Sequence, residues 1–526
     1  MLRLTSISSS KRGVVPVLRA FCASLLIACQ TVMPPVAAAQ AQGLPGMGDG
    51  EMTPSAERQL GDSISRQIYR DNDYLDDPVL VEYLQDIWQK LLAAARVRGE
   101  LSPDLDERFA WTILLGRDRD INAFALPGGY MGVNTGLIAV VGSRDEMATV
   151  LGHELSHITQ RHISRMISRD ARNMPLLIAA MVLGMLAAAK SNSRSGADVG
   201  QAVAMGGQAA AMQSQLNFSR DMEREADRIG FSVMTQAGYA PQGAAAMFEK
   251  LQYASRLNDN ASYPYLRSHP LTTERIADMQ GRAQFRPGAE AEMPLVMDQA
   301  MISSRARVIS RPGVDILRVW IQSINTGEFA KSPPAQQAGM LYAAALAANS
   351  LKDFGTARDM AARLRERTVG NAPASRLARL LSAEIELSAG QPGRAAPFLD
   401  AKARDRPEMM LSAQAAVATR NPAPMIPPLR DWVATHPRDA TAWRALGTLY
   451  NAQDEPLRAI RADAEANVAI LDYVAARDRF KAAQDLVRQP GTGPVDHYEA
   501  SIIDTRAREV DQLLREQMAE EKKAQR

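Results

Sequence analysis

The strongest constraint on this chain is a pair of histidines, His153 and His157, set four positions apart in an otherwise apolar stretch. Four steps of about 100° return a helical side chain to nearly the same face, so both imidazoles can bind one metal ion from one side. Glu154 lies beside them, where a carboxylate can activate a metal-bound water. Because buried polar groups are costly without partners, the apolar neighbours favour a metal here. A chance occurrence of H-E-x-x-H is the alternative, and further ligands are needed to decide between the two.

Two histidines leave a catalytic zinc short of a ligand, since such sites use three protein groups and keep one position for water. Glu223 and Asp227 are candidates on a second predicted helix, and they are also four residues apart. Glu223 can complete the ligand set, while Asp227 can hydrogen-bond the far side of a ligand imidazole and fix its tautomer. An acidic helix alone is usually a solvated face, but an upstream H-E-x-x-H makes a metal site the favoured interpretation.

A third histidine, His162, is not expected to bind the metal. The metzincin pattern requires Gly three residues and His six residues after the second ligand, and those positions hold Gln160 and Ile163. His162 lies five residues beyond His157, on a different face of a continuous helix. We therefore predict that His162 lies at the surface or behind the ligands.

His269 precedes a proline in a predicted loop that leads into a helix. In one interpretation it only shapes the entry to that helix. In another, its imidazole faces the open side of the metal. There it would either stabilise the oxyanion of a tetrahedral intermediate or occupy the water position and keep the enzyme silent. The sequence leaves these alternatives open.

Three short motifs together resemble one group of peptidases. H-E-L-S-H at 153–157 is followed by E-x-E-A-D-x-x-G at 223–230 and by S-H-P-x-x-x-E-R at 268–275. The set resembles the gluzincin peptidases of the HtpX and CAAX-prenyl-protease group, over about residues 52–285. The resemblance implies a zinc-dependent metalloendopeptidase.

The resemblance also implies a role for individual residues. It makes His153, His157 and Glu223 the ligands of one Zn²⁺ per chain, with Glu154 as the catalytic base. Membrane members of the group carry several long apolar helices, which this sequence lacks. Its apolar run at 174–189 is shorter than the ~20 residues that span a bilayer. That run predicts a buried helix or, alternatively, a lid that makes peripheral contact with membrane or substrate.

The first 41 residues have the pattern of a secretory signal peptide: a basic stretch, a short apolar run and an A-x-A-type cleavage region. An alternative is a lipobox ending at Cys29, which would leave that cysteine lipidated. Cys22 and Cys29 are the only cysteines, so the mature chain can form no internal disulfide. We therefore expect an exported, periplasmic protein that is stabilised by its core.

Length and composition indicate a soluble protein of two or three domains, with 46% hydrophobic and 23% charged residues among 526. A net charge of +2 gives no reason to expect a nucleic-acid partner. We predict a signal peptide at 1–41, a zinc metallopeptidase domain at 42–285, a linker helix at 286–310 and a helical repeat domain at 311–526. Within the peptidase domain, residues 122–133 predict a strand, a turn and a second strand.

The second half is rich in alanine and predicted to be helical. One segment matches the tetratricopeptide spacing, although the later aromatic and proline positions depart from it; its matching residues are Trp443, Leu446, Gly447, Tyr450 and Ala459. Small residues recur at paired positions in two earlier segments, Ala345 with Ala357 and Ala383 with Ala395. A featureless helical bundle is the alternative. The predicted fold class is mainly α, an α+β peptidase domain with a small sheet followed by an all-α tetratricopeptide-like solenoid.

An exported peptidase with such an array resembles envelope proteases that act on outer-membrane proteins. The resemblance implies misassembled outer-membrane proteins as clients, with the repeats binding them or the barrel-assembly machinery. A rival hypothesis is a chaperone or assembly adaptor that works through the repeats and has a largely closed metal site. A third is housekeeping cleavage of small peptides.

Overall fold

The computed structural model describes residues 52–169, 220–256, 264–284, 295–488 and 496–524. All of these residues belong to one compact unit that spans 50–526. Several sequence predictions lie outside the described residues: the signal peptide at 1–41 with Cys29, the apolar run at 174–189, and the start of the linker at 286–294.

The N-terminal half, residues 52–284, is mostly helical. Its described helices are α1 (Pro54–Arg70), α2 (Pro78–Arg98), α3 (Pro103–Arg108), α4 (Thr135–Val140), α5 (Arg144–Thr159), α6 (His162–Arg169), α7 (Arg220–Gln236), α8 (Gln242–Arg256), α9 (Pro264–Ser268) and α10 (Thr273–Gln284). Many begin at a side-chain cap; Ser143, for example, accepts a hydrogen bond from the Glu146 amide at the start of α5. Helix α2 is amphipathic, and its apolar face is buried; the face includes Leu80, Tyr83, Leu84, Ile87, Trp88 and Leu91.

A four-stranded sheet packs beside these helices. Its strands are β1 (Tyr74–Leu75), β2 (Thr112–Gly116), β3 (Ala123–Leu126) and β4 (Tyr130–Asn134), in the order β1-β2-β4-β3. The predicted strand–turn–strand over 122–133 is confirmed, because β3 and β4 pair antiparallel across a short 3₁₀ turn. Two glycines in that turn have φ of 71° and 85°, a region that favours glycine. Strand β3 lies at the edge of the sheet, next to α5.

The C-terminal half contains only helices among its described residues. After the linker helix α11 (Met297–Ile309), they are α12 (Val314–Ser323), α13 (Gly327–Lys331), α14 (Pro334–Ser350), α15 (Phe354–Arg367), α16 (Ala372–Ser388), α17 (Pro392–Ala395), α18 (Arg406–Ala418), α19 (Ile426–Thr435), α20 (Ala440–Ala452), α21 (Pro456–Ala469), α22 (Tyr473–Arg488) and α23 (His497–Ala524). The predicted fold class, mainly α with a small sheet in the first half and helices in the second, is confirmed.

The small residues of the repeat pattern lie between packed helices. Ala345, Ala357, Ala383 and Ala395 are completely buried. Gly447 of α20 comes so close to α21 that an added Cβ would lie 3.3 Å from the Ala459 carbonyl oxygen. This close packing is what the tetratricopeptide spacing requires, and the assignment of the repeats to that class stays a prediction.

A buried ion pair joins the linker helix to the N-terminal half. Arg305 of α11 donates to both carboxylate oxygens of Asp77 at 2.8 and 2.7 Å. Asp77 also caps α2, where it accepts from the Leu80 amide at 3.0 Å. On its other side Arg305 donates to the Tyr342 hydroxyl at 3.0 Å and to Glu384 at 2.8 Å. One guanidinium therefore connects α2 to α14 and α16.

Further arginines of the C-terminal half bind the same end of α2. Arg376 pairs with Glu82 at 2.7 Å, and Arg406 pairs with Asp76 at 2.6 Å. The two halves are therefore in extensive polar contact, and α11 is buried between α14 and the N-terminal half. The proposed domain boundaries at 285 and 310 stay a prediction.

We expect Asp77→Asn to destabilise the protein, because it leaves the buried Arg305 charge without its bidentate partner. Breaking a buried pair in this way costs about 3–5 kcal/mol of unfolding free energy. Burial raises the pKa of the Asp77 carboxyl, but the charge and hydrogen bonds of Arg305 outweigh it and hold the pKa below its usual value. The stabilisation is therefore present above the unfolded-state pKa of about 3.9 and is lost as pH falls through the lower folded-state pKa.

Urea denaturation at pH 7 and at pH 3 would measure this difference. A matched control is Asp315→Asn, whose side chain is 97% exposed and 3.6 Å from Arg318. An Asp77→Asn variant as stable at pH 7 as the control would contradict the role given to the pair.

Candidate metal centre

Four buried side chains from three segments meet in the N-terminal half. His153, His157, Glu223 and His269 each place one possible ligand atom within 4.8 Å of all the others. Helix α5 supplies both members of the H-E-x-x-H pair, α7 supplies Glu223, and His269 directly follows α9. Their exposed fractions are 5%, 0%, 2% and 2%, so the group is shielded from solvent.

The facing atoms identify which nitrogens are available to a metal. Nε2 of His157 lies 3.0 Å from Nε2 of His153, and Oε1 of Glu223 lies 3.5 Å from Nε2 of His157. Nδ1 of His269 lies 3.3 Å from Nε2 of His153 and 3.0 Å from Oε1 of Glu223. The structure thus brings together four residues that the sequence analysis named: His153, His157, Glu223 and His269.

The chemistry of this donor set fits a metal ion. Nδ1 of His153 lies 2.9 Å from Oδ1 of Asp227, so its proton is donated there and Nε2 presents a lone pair. That lone pair converges with the Nε2 of His157 and with a carboxylate oxygen of Glu223. Such a group of acceptors is stabilised by a cation at its centre. Two imidazoles and one carboxylate are a ligand set found in catalytic metal sites.

The electrostatics of the pocket also favour positive charge. Although burial lowers it, hydrogen bonds to Asp227 and Glu223 raise the pKa of His153 to about 10. Burial opposes ionisation of Glu223, yet the nearby histidines His269 and His153 bring its pKa well below the usual value. Burial lowers the pKa of His157 well below its usual range, which keeps this ring neutral as a ligand must be.

Glu154 differs from the other carboxylates in its surroundings. It is completely buried, and burial raises the pKa of its carboxyl above the usual value. Oε2 accepts a hydrogen bond from the Ala125 amide of β3 at 2.9 Å. Among the described residues, Oε1 has no hydrogen-bond partner, although Nε2 of His269 lies 3.3 Å away. The sheet edge therefore holds one oxygen, and the other is available to a proton in transit.

Two glycines allow the metal helices to come together. Gly152 of α5 and Gly230 of α7 lie at their crossing, where an added Cβ on Gly230 would be 2.8 Å from the His153 amide nitrogen and 2.9 Å from the Gly152 carbonyl carbon. A side chain at either position would meet the backbone of the other helix. The glycine that ends the E-x-E-A-D-x-x-G motif therefore sets the distance between Glu223 and the histidine pair.

Arg275 is a functional candidate to which sequence reasoning gave no role, although it ends the quoted S-H-P-x-x-x-E-R motif. Its guanidinium binds Asp227 at 2.6 and 2.9 Å and lies 2.8 Å from Oε2 of Glu223. It also donates to the Pro270 carbonyl at 2.8 Å, next to His269. Arg275 thereby fixes both acidic residues of α7 and the loop that carries His269. The available signal in the sequence was its place in that motif, five residues past the proline.

The surface position suggested for His162 is wrong, and the alternative position behind the ligands is confirmed. Its ring is completely buried, and Nδ1 lies 2.8 Å from Nδ1 of His157. On its other side, Nε2 lies 3.1 Å from Oε2 of Glu225. Glu225 of α7 does not face the metal group, but it is linked to His157 through the ring of His162.

We expect Gly230→Ala to weaken metal binding, because the new methyl group would separate α5 from α7 and withdraw Glu223. Titration of the metal-free protein with Zn²⁺ against a chelator should show a loss of at least about tenfold. Gly281→Ala is the matched control, since nothing lies within 4 Å of its added Cβ. In a helix that exchange is neutral or stabilising by up to about 1 kcal/mol. Equal Zn²⁺ affinity in the two variants would argue against the crossing as the determinant of the site.

Comparison with known proteins assigns this part of the chain. Residues 81–283 match peptidase family M48. A Vibrio cholerae protein of the beta-barrel assembly-enhancing protease type is 33% identical over 269 residues, which is 50% of this chain and 51% of that protein. The beta-barrel assembly-enhancing protease of Yersinia pestis is 28% identical over 74% of this chain and 76% of its own length.

A mitochondrial protein is also similar to this chain. The mitochondrial metalloendopeptidase OMA1 of Arabidopsis thaliana is 29% identical over 51% of this chain and 47% of that protein. The chain thus spans about half the length of the Vibrio and Arabidopsis relatives that it matches. Residues 81–283, which include the H-E-x-x-H pair, Glu223 and His269, are therefore similar to peptidase family M48 and to these proteases.

Proposed function

We propose that this chain is a periplasmic, zinc-dependent endopeptidase that acts in the quality control and assembly of outer-membrane proteins. The observation that carries the proposal is the meeting of His153 and His157 from α5 with Glu223 from α7, beside the buried carboxylate of Glu154. Among the described residues, no helix is long and apolar enough to cross a membrane.

Each residue of the centre has a separate task in this proposal. His153, His157 and Glu223 hold the metal, and Asp227 fixes the proton on the far side of His153. When bound, zinc acts as a Lewis acid that polarises the scissile carbonyl and the attacking water. Glu154 accepts the proton of that water and passes it to the leaving amine. The raised pKa of Glu154 suits this exchange, since a general base works best near the operating pH.

The edge strand β3 offers a place for an extended peptide. An added strand would hydrogen-bond to the side of β3 opposite β4. Ala125 of this strand also holds Glu154 through its amide at 2.9 Å. A peptide bound along β3 would therefore pass the catalytic base.

The proposed clients and location rest on relatives and on the N-terminal sequence. Relatives named beta-barrel assembly-enhancing protease support outer-membrane proteins as substrates. The signal-peptide pattern at 1–41 supports export, with lipid anchoring at Cys29 as the alternative. The helices of the C-terminal half would bind client proteins or the barrel-assembly machinery, as helical repeat arrays do.

We expect Glu154→Gln to retain zinc and lose proteolysis. The amide preserves the size of the side chain but cannot accept the proton, so casein cleavage should fall by at least about 10²-fold. Elemental analysis should still give one zinc per chain. Glu107→Gln, at an exposed position of α3, is the control. Full proteolysis by the Glu154→Gln protein would remove the proposed mechanism.

A second candidate function follows from the position of His269. Its Nδ1 lies among the ligand atoms, 3.3 Å from Nε2 of His153 and 3.0 Å from Oε1 of Glu223. A fourth protein ligand there would complete a closed, tetrahedral site of structural type. This position supports a chaperone or assembly adaptor that works through the C-terminal helices, with peptidase activity held silent by His269.

If His269 closes the site, His269→Ala should cleave casein faster than the wild type while zinc content is unchanged, because the fourth position becomes open to water. His436→Ala, at an exposed histidine of the C-terminal half, is the control. Slower cleavage would instead assign His269 to stabilisation of the oxyanion. Relief of an envelope defect by the Glu154→Gln protein would favour the adaptor function over proteolysis.

A further inference from the structure

His162 lies behind the metal group and is outside the proposed ligand set, yet both nitrogens of its ring make close contacts. Its ring is completely buried and meets His157 at 74°, with ring centroids 4.8 Å apart. Nδ1 of each ring faces Nδ1 of the other at 2.8 Å. Nε2 of His162 faces Oε2 of Glu225 at 3.1 Å. The contacts form a chain from α5 through α6 to α7.

The backbone before His162 brings it into this position. Arg161 has a φ of 53°, in the left-handed region that non-glycine residues rarely adopt. The turn ends α5 at Thr159 and starts α6 at His162, so the imidazole returns toward His157. The Arg161 side chain is held by the buried carboxylate of Glu57 at 2.9 Å and by the Ser164 hydroxyl at 3.1 Å.

The nitrogen contacts require one arrangement of protons if His157 is to bind a metal. Nε2 of His157 must offer its lone pair, so its proton is on Nδ1. That proton is donated to Nδ1 of His162, which must therefore be the acceptor. The proton of His162 is then on Nε2 and is donated to Glu225. A neutral imidazole has one donor and one acceptor, and both are used.

The two metal-facing histidines are thus supported differently. His153 donates directly to Asp227, a carboxylate with 3% of its side chain exposed. His157 donates to the imidazole of His162, which in turn contacts Glu225. The Glu225 side chain is 32% exposed and also pairs with Arg165 at 3.1 Å. Partners of this kind fix the tautomer and the ring orientation of metal-binding histidines.

We propose that His162 is a positioning residue for the metal centre, which accepts the Nδ1 proton of His157 and is itself oriented by Glu225. The inference rests on the proposed function, because it takes His157 as a ligand through Nε2. Without His162 the buried Nδ1–H of His157 has lost this acceptor, and the ring is free to adopt the tautomer whose Nε2 cannot bind.

Substitutions at position 162 separate hydrogen bonding from packing. His162→Phe fills a similar volume but offers no acceptor, and we expect Zn²⁺ to bind about 10–100-fold more weakly. His162→Asn provides a carbonyl oxygen that can accept from His157, and we expect it to restore part of that affinity. The metal-free proteins would be titrated with Zn²⁺ against a chelator, and the absorption spectrum of bound Co²⁺ would report ligand geometry.

Substitutions at position 225 test the contact between His162 and Glu225. They also provide a test of the proposal if His162→Phe does not fold. Glu225→Ala should bind Zn²⁺ a few-fold more weakly than the wild type, while Glu225→Gln keeps an oxygen acceptor and should stay close to it. Asp221→Ala is the control on the same helix, since its side chain is 90% exposed and pairs only with a neighbouring arginine at 3.0 Å in the described contacts. Equal affinities for Glu225→Ala, Glu225→Gln and Asp221→Ala would overturn the proposal.

The His157→Ala variant distinguishes an error in the role given to His162 from an error in the proposed metal centre. If His157→Ala binds Zn²⁺ as tightly as the wild type, the metal centre itself is wrong. If His157→Ala loses Zn²⁺ while a folded His162→Phe keeps wild-type affinity and the wild-type Co²⁺ spectrum, only the positioning role of His162 is overturned. Weaker binding in His162→Phe with partial recovery in His162→Asn supports it.

Discussion

An imbalance of buried charge governs the centre of this molecule. Three carboxylates, those of Glu154, Glu223 and Asp227, share one buried pocket, and among the described side chains a single guanidinium, that of Arg275, binds two of them. Burying unpaired charge is costly, so the pocket stabilises a cation in contact with Glu223 and the histidines. A metal ion held by Glu223 and the histidines would meet that requirement.

The ion pair between Asp77 and Arg305 shows the opposite arrangement. There the buried charges are matched by bidentate contacts, and the result is a fixed connection between two parts of the fold. The metal centre leaves its charges unmatched by protein alone, and its geometry is imposed by the backbone instead. Gly152 and Gly230 bring α5 and α7 together, which places Glu223 beside the histidine pair.

Sequence reasoning was most successful where chemistry depends on local spacing. Residues four apart on one helix share a face, which was enough to predict His153 with His157 and Glu223 with Asp227. The strand–turn–strand pattern over 122–133 predicted β3 and β4. For His162, sequence reasoning left two positions open, the surface and a place behind the histidine pair. The face of a residue can be inferred from its number only while the helix continues, and Arg161, with its left-handed backbone, ends the helix. The role of Arg275 depends on tertiary contacts with α7 that no spacing within its own segment encodes.

The burial of α11 bears on how such a protein can change during evolution. Modular proteins exchange domains through exposed linkers that few contacts cross. Here the connecting helix is itself part of the interior, and Arg305 binds Asp77 on one side and Glu384 on the other. A recombination event that replaced either half would leave this arginine facing a foreign surface. We therefore expect the two halves to be inherited together, and we expect changes on exposed helix faces to disturb the fold less than replacement of either half.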